Sequence, residues 1–221
     1  MNRRFTAAGL AIAGLAFAAY PALRPYGPES GAEGAADFGS AAWLIAHVLG
    51  MVGFVTLAFV LRSASSEEGL ALWRWNGQPI RKAETRMWVA VVLLLPYYGA
   101  EAYGLNALGG YAVRTGDTGV LDIAERFRYA PFEMATFGLG LLLLAFVGAR
   151  LILGLWPAGG LERLAGLLAG SALLTYLPQF FAPAGLRIAH GAVLGAGLVL
   201  LGVATARGAR GTANPDVIAA S

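Results

Sequence analysis

Six apolar segments of membrane-spanning length constrain the fold of this chain more than any other feature of its sequence. A bilayer core requires about 20 predominantly apolar residues per helix, and lipid offers the backbone no hydrogen-bond partners outside the helix. The sequence therefore predicts an all-α polytopic membrane protein with one bundle of transmembrane helices over residues 1–206. A polar, disordered cytoplasmic tail is expected over 207–221. The six segments are roughly 5–23, 41–62, 87–108, 132–155, 164–183 and 188–206.

The composition agrees with a membrane protein and excludes several other classes. Hydrophobic residues make up 57% of the 221 residues and charged residues only 13%, against about 25% in soluble domains. The absence of cysteine excludes disulfides, thiolate metal sites and cysteine nucleophiles. The net charge of +3 comes from basic residues scattered at helix ends. We therefore expect the lipid bilayer as a partner and no nucleic acid.

The distribution of basic residues predicts the orientation. With a cytoplasmic N-terminus, most of the 16 basic residues fall on the inner side, as the positive-inside rule requires. Both termini are then cytoplasmic, and the expected location is the plasma membrane. The first segment, with its basic start and Ala16-Phe17-Ala18, also resembles a cleaved signal peptide, which would leave five helices in the same orientation. The basic residues predicted outside are Arg24, Arg114, Arg126, Arg128 and Arg187.

The connecting segments carry weaker signals. Residues 24–40, rich in Pro, Gly and Ser, are predicted to form an outer loop. The inner loop 63–86 contains Trp73 and Trp75, interpreted as interfacial anchors, and a Ser65-x-x-Glu68 pattern typical of a helix cap. The outer loop 111–131 contains an apolar stripe at helical spacing. That stripe predicts an amphipathic helix on the outer surface, with a lid as one role; it consists of Val120, Ile123, Ala124 and Phe127.

Polar side chains from five predicted helices fall in the outer half of the membrane. Ionisable groups in hydrocarbon cost about 2.5–3.5 kcal/mol on insertion scales and usually face a bundle interior or a wet cavity. We therefore expect a polar pocket that opens outward. Glu101 is central, because Tyr97 and Tyr98 precede it by four and three positions on the same helix face. The predicted pocket residues are Tyr97, Tyr98, Glu101, Tyr103, Asn106, Tyr176 and Gln179, beside His47, Glu133 and His190.

Two hypotheses place a cofactor in this pocket. His47 and His190 both occur in an Ile-Ala-His tripeptide, on helices that run in the same direction. The more specific hypothesis makes them the axial ligands of a haem b in membrane electron transfer, with Arg187 beside a propionate. The second is a divalent metal, such as zinc or iron, bound by His47, His190, Glu101 and Glu133. Neither is fixed by a motif that places two ligands on one helix.

Two further hypotheses need no cofactor. In one, Glu101 and the histidines are protonatable groups of a small transporter, or of a protein that binds a lipid or small molecule. In the other, the polar groups only hold helices together in a non-enzymatic accessory protein. The sequence leaves these alternatives open, together with the identity of any small-molecule ligand or redox partner.

Two patterns bear on helix packing. The motifs Gly166-x-x-x-Gly170 and Gly191-x-x-x-Gly195 predict close approach of neighbouring helices. A faint internal pattern is compatible with three tandem hairpins or with coincidence. It consists of prolines near the outer ends of odd helices and a polar residue soon after the start of even ones: Pro21, Pro96 and Pro178, then His47, Glu133 and His190.

Overall fold

A computed structural model describes residues 3–66, 74–75, 78–79 and 81–211 of the chain. Its α-helices are α1 (Arg3–Leu23), α2 (Gly31–Phe38), α3 (Ala41–Ser66), α4 (Arg81–Gly99), α5 (Asn106–Thr115), α6 (Asp122–Tyr129), α7 (Pro131–Leu155), α8 (Gly160–Leu174) and α9 (Ala184–Gly211). A π-helical segment, Ala100–Leu105, joins α4 to α5 without a break. Single 3-10 turns cover Thr118–Leu121, Trp156–Ala158 and Pro178–Phe181, and two-residue strands β1 (Arg74–Trp75) and β2 (Gln78–Pro79) pair antiparallel. The predicted all-α polytopic fold is confirmed.

Five helical stretches of the described chain are long and apolar enough to cross a membrane. They are Arg3–Leu23, Ala41–Ala64, Lys82–Thr115, Pro131–Ala158 and Ala184–Arg207. The fifth predicted segment, 164–183, is wrong in its bounds. It is replaced by α8, which has 15 residues and spans only about 22 Å, followed by a turn and the 3-10 helix that begins at Pro178. Proline lacks the N–H that a continuing helix would need, so α8 ends before it.

The long helices pack as a closed ring in chain order. α1 contacts α3, α3 contacts α4, α4 contacts α7, α7 contacts α8, α8 contacts α9, and α9 returns to α1. Successive members run in opposite directions, so α1 and α9 are also antiparallel. The ring interior is filled with buried apolar side chains from every member, among them Leu10, Phe54, Leu94, Leu144, Leu173 and Leu198.

Glycine permits the closest contacts within the ring. A Cβ placed on Gly14 would lie 2.7 Å from the carbonyl oxygen of Gly195, so α1 and α9 touch backbone to backbone. Gly148 of α7 meets Gly170 of α8 in the same way. Added Cβ atoms at all four positions of the two predicted small-residue motifs would meet atoms of a neighbouring helix. The packing role predicted for these motifs is confirmed.

Short helices cover one end of the ring, which we call the outer end because the predicted orientation places it outside the cytoplasm. There α2, the turn Thr118–Leu121 and α6 pack around α5 and the start of α3. The amphipathic helix predicted within 111–131 is α6. The predicted loop 24–40 instead contains α2, because Ala35 and Phe38 are buried against Trp43. This small second core holds the covering helices on the ring.

Part of the predicted inner loop and part of the predicted tail lie outside the described residues. The described part of the chain does not include Trp73, Glu68, the side chains of Ser65 and Trp75, or residues 212–221. The predicted tail begins at 207, whereas α9 continues to Gly211.

The contact between α1 and α9 predicts a difference between two glycine substitutions. Gly14→Ala should lower stability by about 1–3 kcal/mol, because the new methyl group has no space against α9. Gly138→Ala should be neutral or stabilising by up to about 1 kcal/mol, because no atom of a neighbouring helix lies within 4 Å of its Cβ position. Thermal unfolding of the two purified variants in detergent measures this. Equal melting temperatures would contradict the ring closure.

Candidate functional site

A small polar cavity, the outer cavity, lies at the outer end of the ring. Its volume is about 40 Å³, enough for a few water molecules or one small ion. The side chains that line it come from α1, α3, α4, α6, α9 and the segments between them. They are Tyr20, Arg24, His47, Tyr97, Tyr98, Glu101, Arg128, Phe180 and Arg187.

The π-helical segment positions Glu101 at this cavity. A π-helix inserts an extra residue per turn, and such segments are frequent at functional sites. Trp43 of α3 donates a hydrogen bond from Nε1 to the backbone carbonyl of Glu101 over 2.8 Å. The side chain of Glu101 is 4% exposed. The irregular turn is therefore held by a neighbouring helix, and it buries a carboxyl group within the helix ring.

Arg128 of α6 bridges two carboxylates. Its Nε donates to Oε1 of Glu101 over 2.8 Å, and its Nη1 donates to Oε2 of Glu29 over 2.6 Å. Arg24 donates to the other oxygen of Glu29 over 2.8 Å. The four side chains thus form one alternating chain of charges that connects α6, α1, the segment before α2 and the π-helical segment.

The pKa shifts outside the helical spans agree with a charged bridge. Burial alone would raise the pKa of Glu29, but its hydrogen bond to Arg128 and the charges of Arg128 and Arg24 lower that pKa below its usual value. Burial alone would lower the pKa of Arg128, but Glu101 and Glu29 raise it above the usual range of arginine. Glu29 and Arg128 are therefore both ionised near neutral pH.

His47 and Glu101 face each other at the outer cavity. Nδ1 of His47 lies 2.8 Å from the backbone carbonyl of Trp43, which can only accept, so Nδ1 carries a hydrogen. Nε2 of the same ring lies 3.7 Å from Oε2 of Glu101. Oε2 has no hydrogen-bond donor among the described residues. Two facing lone pairs repel, so this geometry favours a proton on one of them, as an imidazolium or as a carboxylic acid.

Aromatic side chains fill the ring interior next to the cavity. The hydroxyl groups of Tyr98 and Tyr176 lie 3.2 Å apart. The ring of Phe54 packs against Phe17, Tyr98 and Tyr176 at centroid distances of 5.0, 5.2 and 5.6 Å. Tyr98 both lines the cavity and belongs to this cluster, so the cluster separates the cavity from the inner half of the bundle.

Five of the predicted site residues come together at the outer cavity: His47, Tyr97, Tyr98, Glu101 and Arg187. Tyr176 does not line the cavity but contacts two residues that do, Tyr98 and Phe180. Gln179 is half-buried in the 3-10 helix and does not line it.

The other predicted pocket residues lie elsewhere. Tyr103 is 61% exposed. The amide of Asn106 donates to the backbone carbonyls of Phe38 and Ser40, over 2.9 and 3.1 Å, and so ties α5 to the end of α2. Glu133 is half-buried at the start of α7 and does not line the cavity.

The arrangement of the histidines does not fit a haem held between them. Nε2 of His190 is 2.8 Å from the carbonyl oxygen of Ala172, and Nε2 of His47 faces Glu101. Bis-axial iron requires two free nitrogens about 4 Å apart, twice a metal–nitrogen distance of about 2 Å. Tyr98 and Tyr176 stand between the two imidazoles as a chain of contacts. The cavity of about 40 Å³ is also far below the roughly 300–1,000 Å³ of cofactor pockets.

The predicted metal ligands are not brought together either. His47 and Glu101 are neighbours, whereas His190 and Glu133 do not line the outer cavity. Within the described ranges, no three His, Asp or Glu side chains are grouped as a metal site would require.

Sequence reasoning missed the residues that surround Glu101. Arg24 and Arg128 are predicted only as basic residues on the outer side, and Glu29 is not among the predicted site residues. Arg128 follows Ala124 by four positions, which places it on the buried face of that helix, and both are buried. That spacing was the available signal. Comparison with family models, with curated proteins and with solved structures found no match.

Removal of the bridging arginine should destabilise the fold. Arg128→Gln leaves the carboxyl group of Glu101 without its charged donor, and breaking a buried ion pair costs about 3 kcal/mol. Arg126→Gln, two positions away on an exposed side chain, is the matched control and should change stability by less than about 0.5 kcal/mol. Thermal unfolding of both variants measures the difference. Similar melting temperatures would show that the bridge does not stabilise the protein.

Stability should also fall in acid, because the pKa of Glu29 is lowered on folding. Its contribution is complete above the ordinary value of 4.5 and is lost as the pH drops through the lower pKa of the folded state. Wild type should therefore lose melting temperature below about pH 4.5. Glu29→Gln should lose less than Glu33→Gln, whose carboxylate is exposed. Parallel acid profiles for the two variants would contradict the assignment.

Proposed function

We propose that this protein binds a small polar molecule in the outer cavity without a cofactor, and that His47 and Glu101 together form its proton-carrying group. In this proposal it is a proton-linked binding protein or small transporter of the membrane. The observation that carries it is the second carboxylate oxygen of Glu101, which is buried, faces His47 and lacks a donor among the described residues.

The position of this oxygen favours a binding role over a purely structural one. A polar group that only holds helices together has its buried atoms satisfied, as Asn106 does at the outer end. Glu101 is satisfied at Oε1 by Arg128 and left open at Oε2, which belongs to a side chain that lines the cavity. A non-enzymatic accessory protein would gain no stability from leaving one carboxylate oxygen without a donor.

The chemistry of the pair supports proton linkage. In this proposal the pair holds one proton, and it can take a second when both the imidazole and the carboxyl group are protonated. A second proton adds a positive charge beside Arg128 and Arg24. Any ligand whose charge responds to that change binds with an affinity that depends on pH.

Infrared spectroscopy tests the proton-carrying pair. In a pH titration of the purified protein in lipid, a protonated-carboxyl band should appear and disappear, and Glu101→Gln should remove it. Glu125→Gln, at an exposed position of α6, is the control and should retain it. His47→Gln should move the titration midpoint, because the imidazole shares the proton, whereas His190→Gln should not. A titrating band that survives Glu101→Gln would refute the proposal.

A ligand screen tests the binding role. Sugars, amino acids, organic cations and short-chain carboxylates are each added to the protein at two pH values, one on each side of the infrared midpoint. At least one class should raise the melting temperature of the wild type in a pH-dependent manner, and Glu101→Gln should abolish the pH dependence. If no class does so, the binding role is wrong.

Haem b in membrane electron transfer, the other specific hypothesis from the sequence, has less support from the positions of His47 and His190. It predicts a red preparation with a Soret band from haem-replete cells, bleached by His47→Ala or His190→Ala. We expect a colourless preparation instead. A Soret band lost in both variants would reverse the order of the two hypotheses.

A further inference from the structure

The guanidinium group of Arg187 contacts aromatic rings and, within the described ranges, has no acidic partner. Arg187 stands half-buried in the first turn of α9 and lines the outer cavity. Its guanidinium carbon lies 5.3 Å from the ring centroid of Tyr26 and 5.5 Å from that of Phe180. Tyr26 is itself fixed by a hydrogen bond of 2.9 Å to the carbonyl of Pro21. Contacts with aromatic rings do not use the N–H hydrogen bonds of a guanidinium, so these groups stay available to bind an anion in its plane.

The carboxylates near the cavity are committed to other cations. Glu29 pairs with Arg24 and Arg128, and Oε1 of Glu101 pairs with Arg128. No carboxylate of the described residues lies within ion-pair distance of Arg187. The cluster therefore has three guanidinium groups and two carboxyl groups. An excess positive charge out of water is unfavourable, and a bound monoanion offsets it.

Glu101 supplies the second, independent indication of a ligand. Its unpartnered Oε2 belongs to a side chain that is 4% exposed and that lines the same cavity as Arg187. As a carboxylate, this group repels an anion. As a carboxylic acid, it donates a hydrogen bond to one. The same cavity therefore offers a cationic fork on one side and, after protonation, a neutral donor on the other.

We propose that the outer cavity binds a small monocarboxylate, with its carboxylate on Arg187 and with uptake of a proton by the His47–Glu101 pair. This inference rests on the function proposed above and names its ligand class. A carboxylate matches the planar fork of arginine with two parallel hydrogen bonds. Its negative charge offsets part of the excess positive charge of the cluster, and the cavity of about 40 Å³ accepts a group of this size. Anion and proton bind together, because each favours the other by the same free energy.

Acetate is the probe for the test. The full chain is placed in nanodiscs of phosphatidylcholine, and acetate is titrated in weakly buffered solution with a pH-indicator dye. Fluorescence reports site occupancy through Trp43, whose ring lies 4.6 Å from that of His47. Acetate should bind saturably with uptake of about one proton, and its Kd should fall by up to about tenfold per unit of decreasing pH. Acetamide, which has the same shape without the charge, should not bind.

Variants identify the side chains responsible. Arg187→Gln should weaken acetate binding at least about tenfold, the range of a charge-assisted hydrogen bond, and Arg187→Lys should give an intermediate loss because it keeps the charge without the fork. Arg114→Gln, an exposed arginine at the end of α5, is the matched control and should bind as wild type. Retained near-ultraviolet circular dichroism excludes unfolding as the cause.

Four outcomes overturn the inference. They are the absence of saturable acetate binding, binding without proton uptake, binding unchanged by Arg187→Gln, and a site that instead retains anionic lipid in phosphatidylglycerol nanodiscs and loses it in Arg187→Gln. Failure with acetate while the infrared band of Glu101 titrates overturns the ligand class alone. Failure of both acetate binding and the infrared titration overturns the proposed function as well.

Discussion

The bridge from Arg128 to Glu101 and Glu29 is the interaction on which the outer end depends. A carboxyl group placed among apolar helices is unfavourable unless a charged donor accompanies it. Here the donor comes from α6, a helix that would otherwise lie on the surface, and the same guanidinium also reaches the segment before α2. One side chain thus compensates the burial of Glu101 and attaches the covering helices to the ring. The same side chain therefore fixes the position of the covering helices and stabilises the buried carboxyl group of Glu101.

The approach of Glu101 to His47 follows from the bridge that Arg128 makes. Because Arg128 occupies one oxygen of Glu101, the other is turned toward His47, whose ring is oriented by the backbone of its own helix through Trp43. Trp43 also donates to the π-helical segment that carries Glu101. The distance between acid and imidazole is therefore set by a single tryptophan at the beginning of α3. Arg24 lies 4.5 Å above the ring of that tryptophan, so the orientation of the pair and the surrounding charge are coupled through packing.

Hydrophobic patterning located the five apolar spans, but it missed helix α2 and the early end of α8. The bounds of α7 follow from an apolar run that begins at a proline and ends at an aromatic residue, and the prediction of 132–155 differs from the helix by one residue. The predicted end of the fifth segment was wrong because the residues from Thr175 to Phe181 are apolar enough to continue a helix, while their backbone does not. Helix α2 is missed because much of its burial is provided by α5 and the turn Thr118–Leu121, which are distant in sequence.

Half of the candidate site could be predicted from the same hydropathy pattern. Glu101, His47 and Tyr98 are conspicuous because each interrupts an apolar run, and an interruption at the correct depth indicates a cavity. Arg24, Glu29 and Arg128 occur in polar segments, where a charged residue is ordinary and hydropathy gives no signal. His190 is predicted as a site residue because its Ile-Ala-His tripeptide repeats that of His47, but it does not line the outer cavity. Nε2 of His190 instead lies 2.8 Å from the backbone carbonyl of Ala172 in α8. The two imidazoles therefore have different surroundings.

The closed order of the ring has a consequence for biogenesis. Helices emerge from the ribosome one after another, and each of the first five contacts can form as soon as its later member is inserted. The seam between α1 and α9 joins the earliest span to the latest one. Until that moment the glycine-lined flank of α1, around Gly14, has no occupant from its own chain. A nascent molecule therefore carries an unsatisfied small-residue surface through most of its synthesis, which gives membrane chaperones a defined period in which to shield it.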